Sequence, residues 1–134
     1  MKKSLLDTDI LSAFFREIPS VTDKVNLYLL EYGKLSLSII SYYEILNGLY
    51  YRDAKKQLDG FMEFVRLNEI IPLTLHSVEI SAKIFARLRK SGQPIGHTDT
   101  LIAGIAIENK MQVVTNNTDH FNRIDGLTLD NWMK

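Results

Sequence analysis

Short, β-prone apolar segments alternate with helix-patterned segments along the whole chain, and that alternation constrains the fold more than any other feature. "KSLLD" ends in a helix-start signal, and "TDILSAFFRE" then sets Ile10, Leu11, Phe14 and Phe15 at helical spacing. "SVTDKVNLYLLEYG" puts Val21, Val25, Tyr28 and Leu29 on one helical face, with Gly33 as a stop. "KLSLSII" alternates and reads as a strand, and "SYYEILNGLYYRDAKKQLDGFMEFVRL" as one long helix or two in succession. "EIIPL" is a short strand with Pro72 near its end, and "HSVEISAKIFARLRKSG" repeats the helical period through Ile80, Ile84, Phe85 and Leu88. "HTDTLIAGIAIENK" is a further helix whose small Ala103, Gly104 and Ala106 admit a close backbone neighbour, before the strand "MQVVT" and a last one in "GLTLDNW". Parallel strands need helical crossovers of this kind, so the pattern predicts an α/β fold: a three-layer α/β/α sandwich on a mostly parallel sheet of four to five strands. With 134 residues and no repeat, linker or low-complexity segment, residues 1–134 are expected to form a single domain.

Charge narrows the possible partners. Sixteen basic residues balance sixteen acidic ones, so no global field draws in a polyanion, and nucleic-acid binding would need a local basic patch. The chain has no cysteine, which excludes disulfides and thiolate metal sites. Two lysines precede an apolar start, but Asp7 and Asp9 interrupt what would be a signal peptide's apolar stretch. No run approaches the roughly 20 apolar residues that span a bilayer. The expectation is a cytoplasmic protein without a membrane partner.

Within that frame "LLDTDIL" is odd, because a carboxylate at the end of a buried strand needs a cation, a cap or a chemical role. In open α/β sheets, sites form beyond the carboxyl ends of the strands. Asp7 falls there after the first strand, Glu44 after "LSLSII", Asp99 in the first turn of "HTDTLIAGIA" and Asp119 after "VVT". Each has a plainer reading. Asp7 or Thr8 can cap a helix, and "SYYE" matches a capping box with Ser41 as cap and Glu44 reaching back. Asp99 can face a helix dipole, and Asp119 can be an exposed loop acid. Independent caps need not converge on one edge, however, whereas a metal site must. Clustered carboxylates with open positions suit Mg²⁺ or Mn²⁺, which take hard oxygen ligands, keep waters and leave room for a phosphate.

The histidines, His76, His97 and His120, do not pair at i, i+4, which argues against zinc. His97 is either a helix-start residue or a nucleic-acid phosphate contact. Arg87 and Arg89 lie just upstream of Asp99, and Arg52, Lys55 and Lys56 downstream of Glu44; either group can form a solvated helix face or a local basic rim for nucleic acid. Tyr42, Tyr43, Tyr50 and Tyr51 bracket the Glu44 helix and read as core or interface packing, or as base-stacking residues.

"LLDTDIL", "SYYEILNG", "GHTDTLIAGIA" and "VVTNNTDHF" followed by "LTLDNW" resemble, in order and spacing over nearly the whole chain, the PIN-domain ribonucleases, and within them the VapC toxins of toxin–antitoxin pairs. The resemblance implies a PIN-like domain that cleaves RNA, tRNA among its targets, with Mg²⁺ or Mn²⁺. It also implies control by a VapB-like antitoxin whose C-terminal segment wraps the toxin, and a homodimer. Position by position, it makes Asp7, Glu44 and Asp99 the first three catalytic acids, with Asp7 and Asp99 as metal ligands and Gly48 as the usual companion of Glu44. It makes Thr115 the supporting hydroxyl residue after the last core strand. The family more often has Asn where this chain has Asp9, which is placed in a local hydrogen bond or near the metal. The family's fourth acid commonly stands directly before the Phe of the last motif, where this chain has His120. Either Asp119, one position earlier, takes that role, or three acids serve with Asn117 and His120 as polar neighbours.

Two rival functions share these residues. "LLDTDIL" also resembles the phosphatase motif in which the first Asp is the nucleophile and the second the acid and base, but "VVTNNTDHF" poorly matches that motif's late acidic loop. A non-catalytic binding domain that kept the fold is the other, with His120 in place of an acid as its support.

Overall fold

The computed structural model describes residues 1–134. Five short strands alternate with seven helices: β1 (Ser4–Leu6), α1 (Thr8–Phe15), α2 (Pro19–Tyr32), β2 (Ser36–Ser38), α3 (Ile39–Tyr51), α4 (Lys55–Leu67), β3 (Glu69–Ile71), α5 (Leu75–Lys90), α6 (His97–Glu108), β4 (Gln112–Val114), α7 (Thr118–Phe121) and β5 (Leu129–Asp130). All paired strands are parallel, in the orders β1-β4-β5 and β2-β3, and β2 packs alongside β1. The spatial order is therefore β3-β2-β1-β4-β5. Its switch point lies between β1 and β4, the place where open α/β sheets hold their sites.

Side chains leave a strand on alternate faces, and the core divides accordingly. Leu5 and Val113 point into one buried cluster with Ile84 and Leu88 of α5, Ile102 and Ile105 of α6 and Phe121 of α7. Leu6 and Val114 point into the other, with Ile10 and Leu11 of α1, Val21, Val25 and Tyr28 of α2, Leu49 of α3 and Phe61 of α4. Trp132, fully buried beside Tyr28, ties the C-terminal segment to that second layer.

Local chemistry sets the boundaries. Gly33 ends α2 with φ of 79°, a left-handed conformation cheap only for glycine. The stretch read as one helix or two is two, broken at Asp53, whose φ of 50° leaves the helical region. Ile39 and Ile40, expected to extend the second strand, instead open α3. Ser38 caps that helix by accepting from Ser41 N at 3.0 Å, and the cap prevails over the β propensity of two isoleucines. The close approach expected at the small residues of α6 is present. A Cβ on Gly104 would fall 2.5 Å from the Ser77 carbonyl oxygen of α5 and nearer still to the Ser81 hydroxyl.

Candidate active site

Asp7 stands where β1 becomes α1. Its backbone N–H still donates to Val114 O at 2.9 Å, extending the β1–β4 ladder, so the carboxyl group is carried to the sheet's edge and is only 7% exposed. It is the N-cap of α1, Oδ1 accepting from Thr8 N at 2.8 Å, while Oδ2 accepts from Thr115 Oγ1 at 2.8 Å. Capping therefore occupies one carboxyl oxygen and the residue after β4 fixes the other. Burial, with Asp9 and then Asp99 nearby, pushes the Asp7 carboxyl up to about 7 despite those hydrogen bonds.

Asp9, in the first turn of α1, accepts from Asn116 N at 3.0 Å through Oδ2. Its Oδ1 is buried with no hydrogen-bond partner, and burial, with Asp99 nearby, raises its pKa as well. Thr8, between the two acids, is a site residue that the sequence motifs do not single out. Its Oγ1 lies 2.7 Å from Glu44 Oε1 and 3.0 Å from Ser41 Oγ. With one hydrogen to give, it donates to the carboxylate and accepts from the serine. Because α3 begins at Ile39 and is capped by Ser38, Glu44 has no capping-box duty, and its carboxylate is tied to α1 instead. Only the adjacency of Thr8 to two acids hints at this link in the sequence.

Asp99, in the first turn of α6, faces β4's outgoing loop. Its Oδ2 lies 3.3 Å from Asn117 Nδ2 and 3.1 Å from His120 Nδ1, and Asn117 Nδ2 is 3.0 Å from the same ring nitrogen. A protonated Nδ1 donates to the carboxylate, whereas a bare Nδ1 accepts from the amide. Asn117 N in turn donates to Thr115 Oγ1 at 2.9 Å, joining this group to Asp7. Asp119 is not brought in. On the single turn of α7, positions 117, 120 and 121 share one side, and burial of Phe121 turns that side inward, leaving Asp119 exposed. His120 occupies the place beside Asp99.

Of the basic residues expected near the site, Arg87 forms an exposed ion pair with Asp125 at 3.7 Å. Arg89 lies over the Phe85 ring at 5.7 Å, and Phe85 stacks on His97 with centroids 4.2 Å apart, a ladder running up to the start of α6. None of the three basic side chains hydrogen-bonds to the acids.

The donors at this edge are carboxylate, hydroxyl and amide oxygens, the set a hard divalent cation takes. A buried carboxylate oxygen without a donor and a buried acid whose ionisation is opposed are both relieved by such a cation. No three acidic or histidine side chains close in tightly enough to enclose an ion.

A family model described as "PIN domain" matches residues 4–127. The tRNA(fMet)-specific endonuclease VapC of Shigella flexneri is 30% identical over 134 residues, covering 98% of this chain and 99% of that protein. The chain belongs to the VapC ribonucleases of the PIN-domain family. Two solved structures share the VapC architecture described above. The VapBC2 complex from Rickettsia felis, bound to a DNA fragment from its promoter, superposes with a TM-score of 0.85 at 29% identity over 96% of this chain and 98% of that one. The DNA-bound VapBC of Salmonella typhimurium gives 0.86 at 26% identity over 98% and 99%. No helix of this VapC chain is long and apolar enough to cross a membrane.

Proposed function

We propose that this VapC ribonuclease is a cytoplasmic, Mg²⁺- or Mn²⁺-dependent, site-selective endonuclease. In this reading it is the toxin of a pair held inactive by a VapB-like antitoxin, works as a homodimer, and cuts structured RNA of the transfer-RNA class. The observation that carries the reading is the convergence on one sheet edge of Asp7, Asp9, Glu44 and Asp99 from three helices or their caps, with Asp7 raised to about 7 and Asp9 Oδ1 unsatisfied. Asp7 and Asp99 would hold the ion, with Glu44 beside them facing its bound water. When bound, the ion supplies a polarised phosphoryl oxygen and a water of lowered pKa.

The chain's own residues supply orientation. Thr8 N and Thr115 Oγ1 each fix one oxygen of Asp7, and the Thr8 hydroxyl holds Glu44 against α1. Asn117 and His120 hold Asp99 from the other side, in the place that the sequence motif offers to Asp119. The antitoxin assignment is supported by the VapBC complexes to which the chain is similar, and the RNA class by the name of the Shigella flexneri relative.

Purified protein free of antitoxin, incubated with total cellular RNA and Mg²⁺, Mn²⁺ or excess chelator, tests the reading. Discrete fragments that require metal and vanish in Asp99→Asn are expected. Absence of metal-dependent cleavage by folded protein overturns it.

A further inference from the structure

Opening from the acids, α1, α3 and α4 leave a groove of about 930 Å³ that extends beyond the catalytic arrangement. It begins at Asp9 and Glu44 and runs along Ser12 and Phe15 of α1, Gly48 of α3 and Gly60 of α4. Two glycines in its lining leave it space. An added Cβ at Gly60 meets nothing within 4 Å, and one at Gly48 meets only the Arg52 guanidinium, at 3.4 Å. Phe15 is 43% exposed, although its edge-on contacts with Phe61 at 6.0 Å and Phe64 at 5.1 Å show that the layer beneath had aromatic surface to cover it. Arg16 and Arg52, the residues that end α1 and α3, line the same groove, and neither is in an ion pair.

We propose that this groove is a nucleotide subsite in which one unstacked base of the RNA packs on Phe15 while Arg16 and Arg52 hold the phosphates on either side of it. The proposal rests on the nuclease reading and adds to it where the strand lies and which residues select the cleavage position. The chemistry of the lining matches single-stranded RNA. An exposed aromatic ring takes any base, and two arginines without partners supply the local positive charge that zero net charge does not provide. The carboxylates at the groove's mouth repel phosphate, so the strand needs cations farther along, where the arginines stand. A volume of about 930 Å³ far exceeds what an ion and its waters require and accommodates a nucleotide with its neighbouring phosphates. A base seated on Phe15 with its flanking phosphates on Arg16 and Arg52 commits a phosphate farther along the strand to the acids at the other end of α1, making the subsite a ruler for cleavage.

The test uses an RNA that the wild-type protein cleaves with metal. Each nucleotide around the cleavage site is replaced in turn by an abasic residue, and KM and kcat are measured for the wild type, Phe15→Ala and Gly60→Leu, whose folding is checked by thermal melts. In the wild type, one abasic position is expected to raise KM on the order of tenfold to a hundredfold, the worth of one base–aromatic stack. Phe15→Ala should show the same rise on intact RNA and no further rise on the abasic one, and Gly60→Leu, which fills the groove, should behave alike. Arg16→Ala and Arg52→Ala should each lower the salt dependence of RNA binding by about 0.7 in the log–log slope. If the wild type cleaves with metal while Phe15→Ala and Gly60→Leu keep its KM and its abasic pattern, the subsite is wrong and the nuclease reading stands. The subsite is equally wrong if these variants cleave normally but escape the antitoxin, which would assign the groove to a protein partner. If the wild type cleaves nothing and short single-stranded RNA fails to bind it, both fall together.

Discussion

Two buried polar regions of this molecule solve the same problem in opposite ways. In the seam between α5 and α6, Ser77, Ser81 and Thr100 are buried among apolar neighbours, yet each hydroxyl finds a carbonyl on its own helix or its cap. Ser81 donates to Ser77 O at 2.9 Å, Ser77 to Thr74 O at 3.1 Å and Thr100 to His97 O at 2.7 Å. These groups are neutral and satisfied, so burying them costs little, and Gly104 lets the helices close over them. At the carboxyl end of β1 and β4 the buried groups are acids, one oxygen has no donor, and no lysine or arginine pairs with them. The seam is finished by the fold alone, whereas the edge keeps a buried acidic oxygen without a donor, which the proposed ion would satisfy. The strain that a purely structural region removes is kept where binding will relieve it.

Breaking the edge chemically should have the largest effect. Asp7→Asn or Asp99→Asn removes a proposed ligand to the ion, and losing several kcal/mol of transition-state stabilisation lowers kcat about a thousandfold or more. Steady-state cleavage assays read this directly. Gly104→Ala, by contrast, should leave kcat within about twofold at temperatures where the protein is folded, because the seam touches none of the acids.

The unrelieved burial of Asp7 should next appear in the stability of the metal-free protein. Its folded pKa is about 7 and its ordinary value 3.8, so between those values the folded state holds a proton that the unfolded state has lost. The contribution of Asp7 to stability in chelator is therefore highest below pH 4, declines as pH rises to about 7 and is level above it, a loss on the order of 4 kcal/mol for this group. Urea melts across that range measure the decline. Asp7→Asn should flatten it and make the metal-free protein more stable than wild type at pH 8, and Mg²⁺ should stabilise the wild type more than the variant. A wild-type profile that is flat in chelator would place Asp7 in a far better solvated state than its 7% exposure indicates.

The seam gives the next effect in size. Gly104→Ala forces a methyl against the Ser77 carbonyl and the Ser81 hydroxyl, and overpacking of this kind costs about 1–3 kcal/mol even though alanine is the better helix former. The destabilisation should be the same with and without metal and independent of pH from 4 to 8. That invariance separates the seam from the edge in a single set of melts.

These contrasts also mark which parts of the molecule are legible in its sequence. The layered α/β architecture is legible because the strands are short and β1, β2 and β3 each lead into a helix with a side-chain cap, and parallel order then places Asp7 and Thr115 on adjacent strand ends. The second strand is shorter than its composition suggests, since the value of Ser38 as a cap depends on where the backbone turns and not on the β propensity of Ile39 and Ile40. Convergence of Glu44 follows from its place after a strand and that of Asp99 from the first turn of its helix, but the hydroxyl that ties Glu44 down does not, because Thr8 meets it across 36 residues of sequence. The groove is illegible in the same way: Phe15, Gly48 and Gly60 come together only once α1, α3 and α4 pack, and Arg16 carries no local signal at all.

Asp119 and His120 give the smallest expected effect and the sharpest test of which side of α7 serves the site. A sequence register that asks for an acid favours Asp119, one residue from the expected position. Phe121 decides otherwise: fully buried, it turns positions 117 and 120 toward Asp99 and leaves Asp119 in water, where substitutions fall within about 0.5 kcal/mol of neutral. Asp119→Asn should therefore leave kcat, KM and metal affinity at wild-type values. His120→Ala removes a neighbour of Asp99 Oδ2 at 3.1 Å, so it should weaken Mg²⁺ binding by about tenfold, as loss of a ligand's supporting hydrogen bond does. Isothermal titration with Mg²⁺ in the absence of RNA reads both variants without relying on catalysis. If Asp119→Asn is the one that loses metal, α7 must rotate when the ion binds, and the burial of Phe121 cannot be what orients this turn.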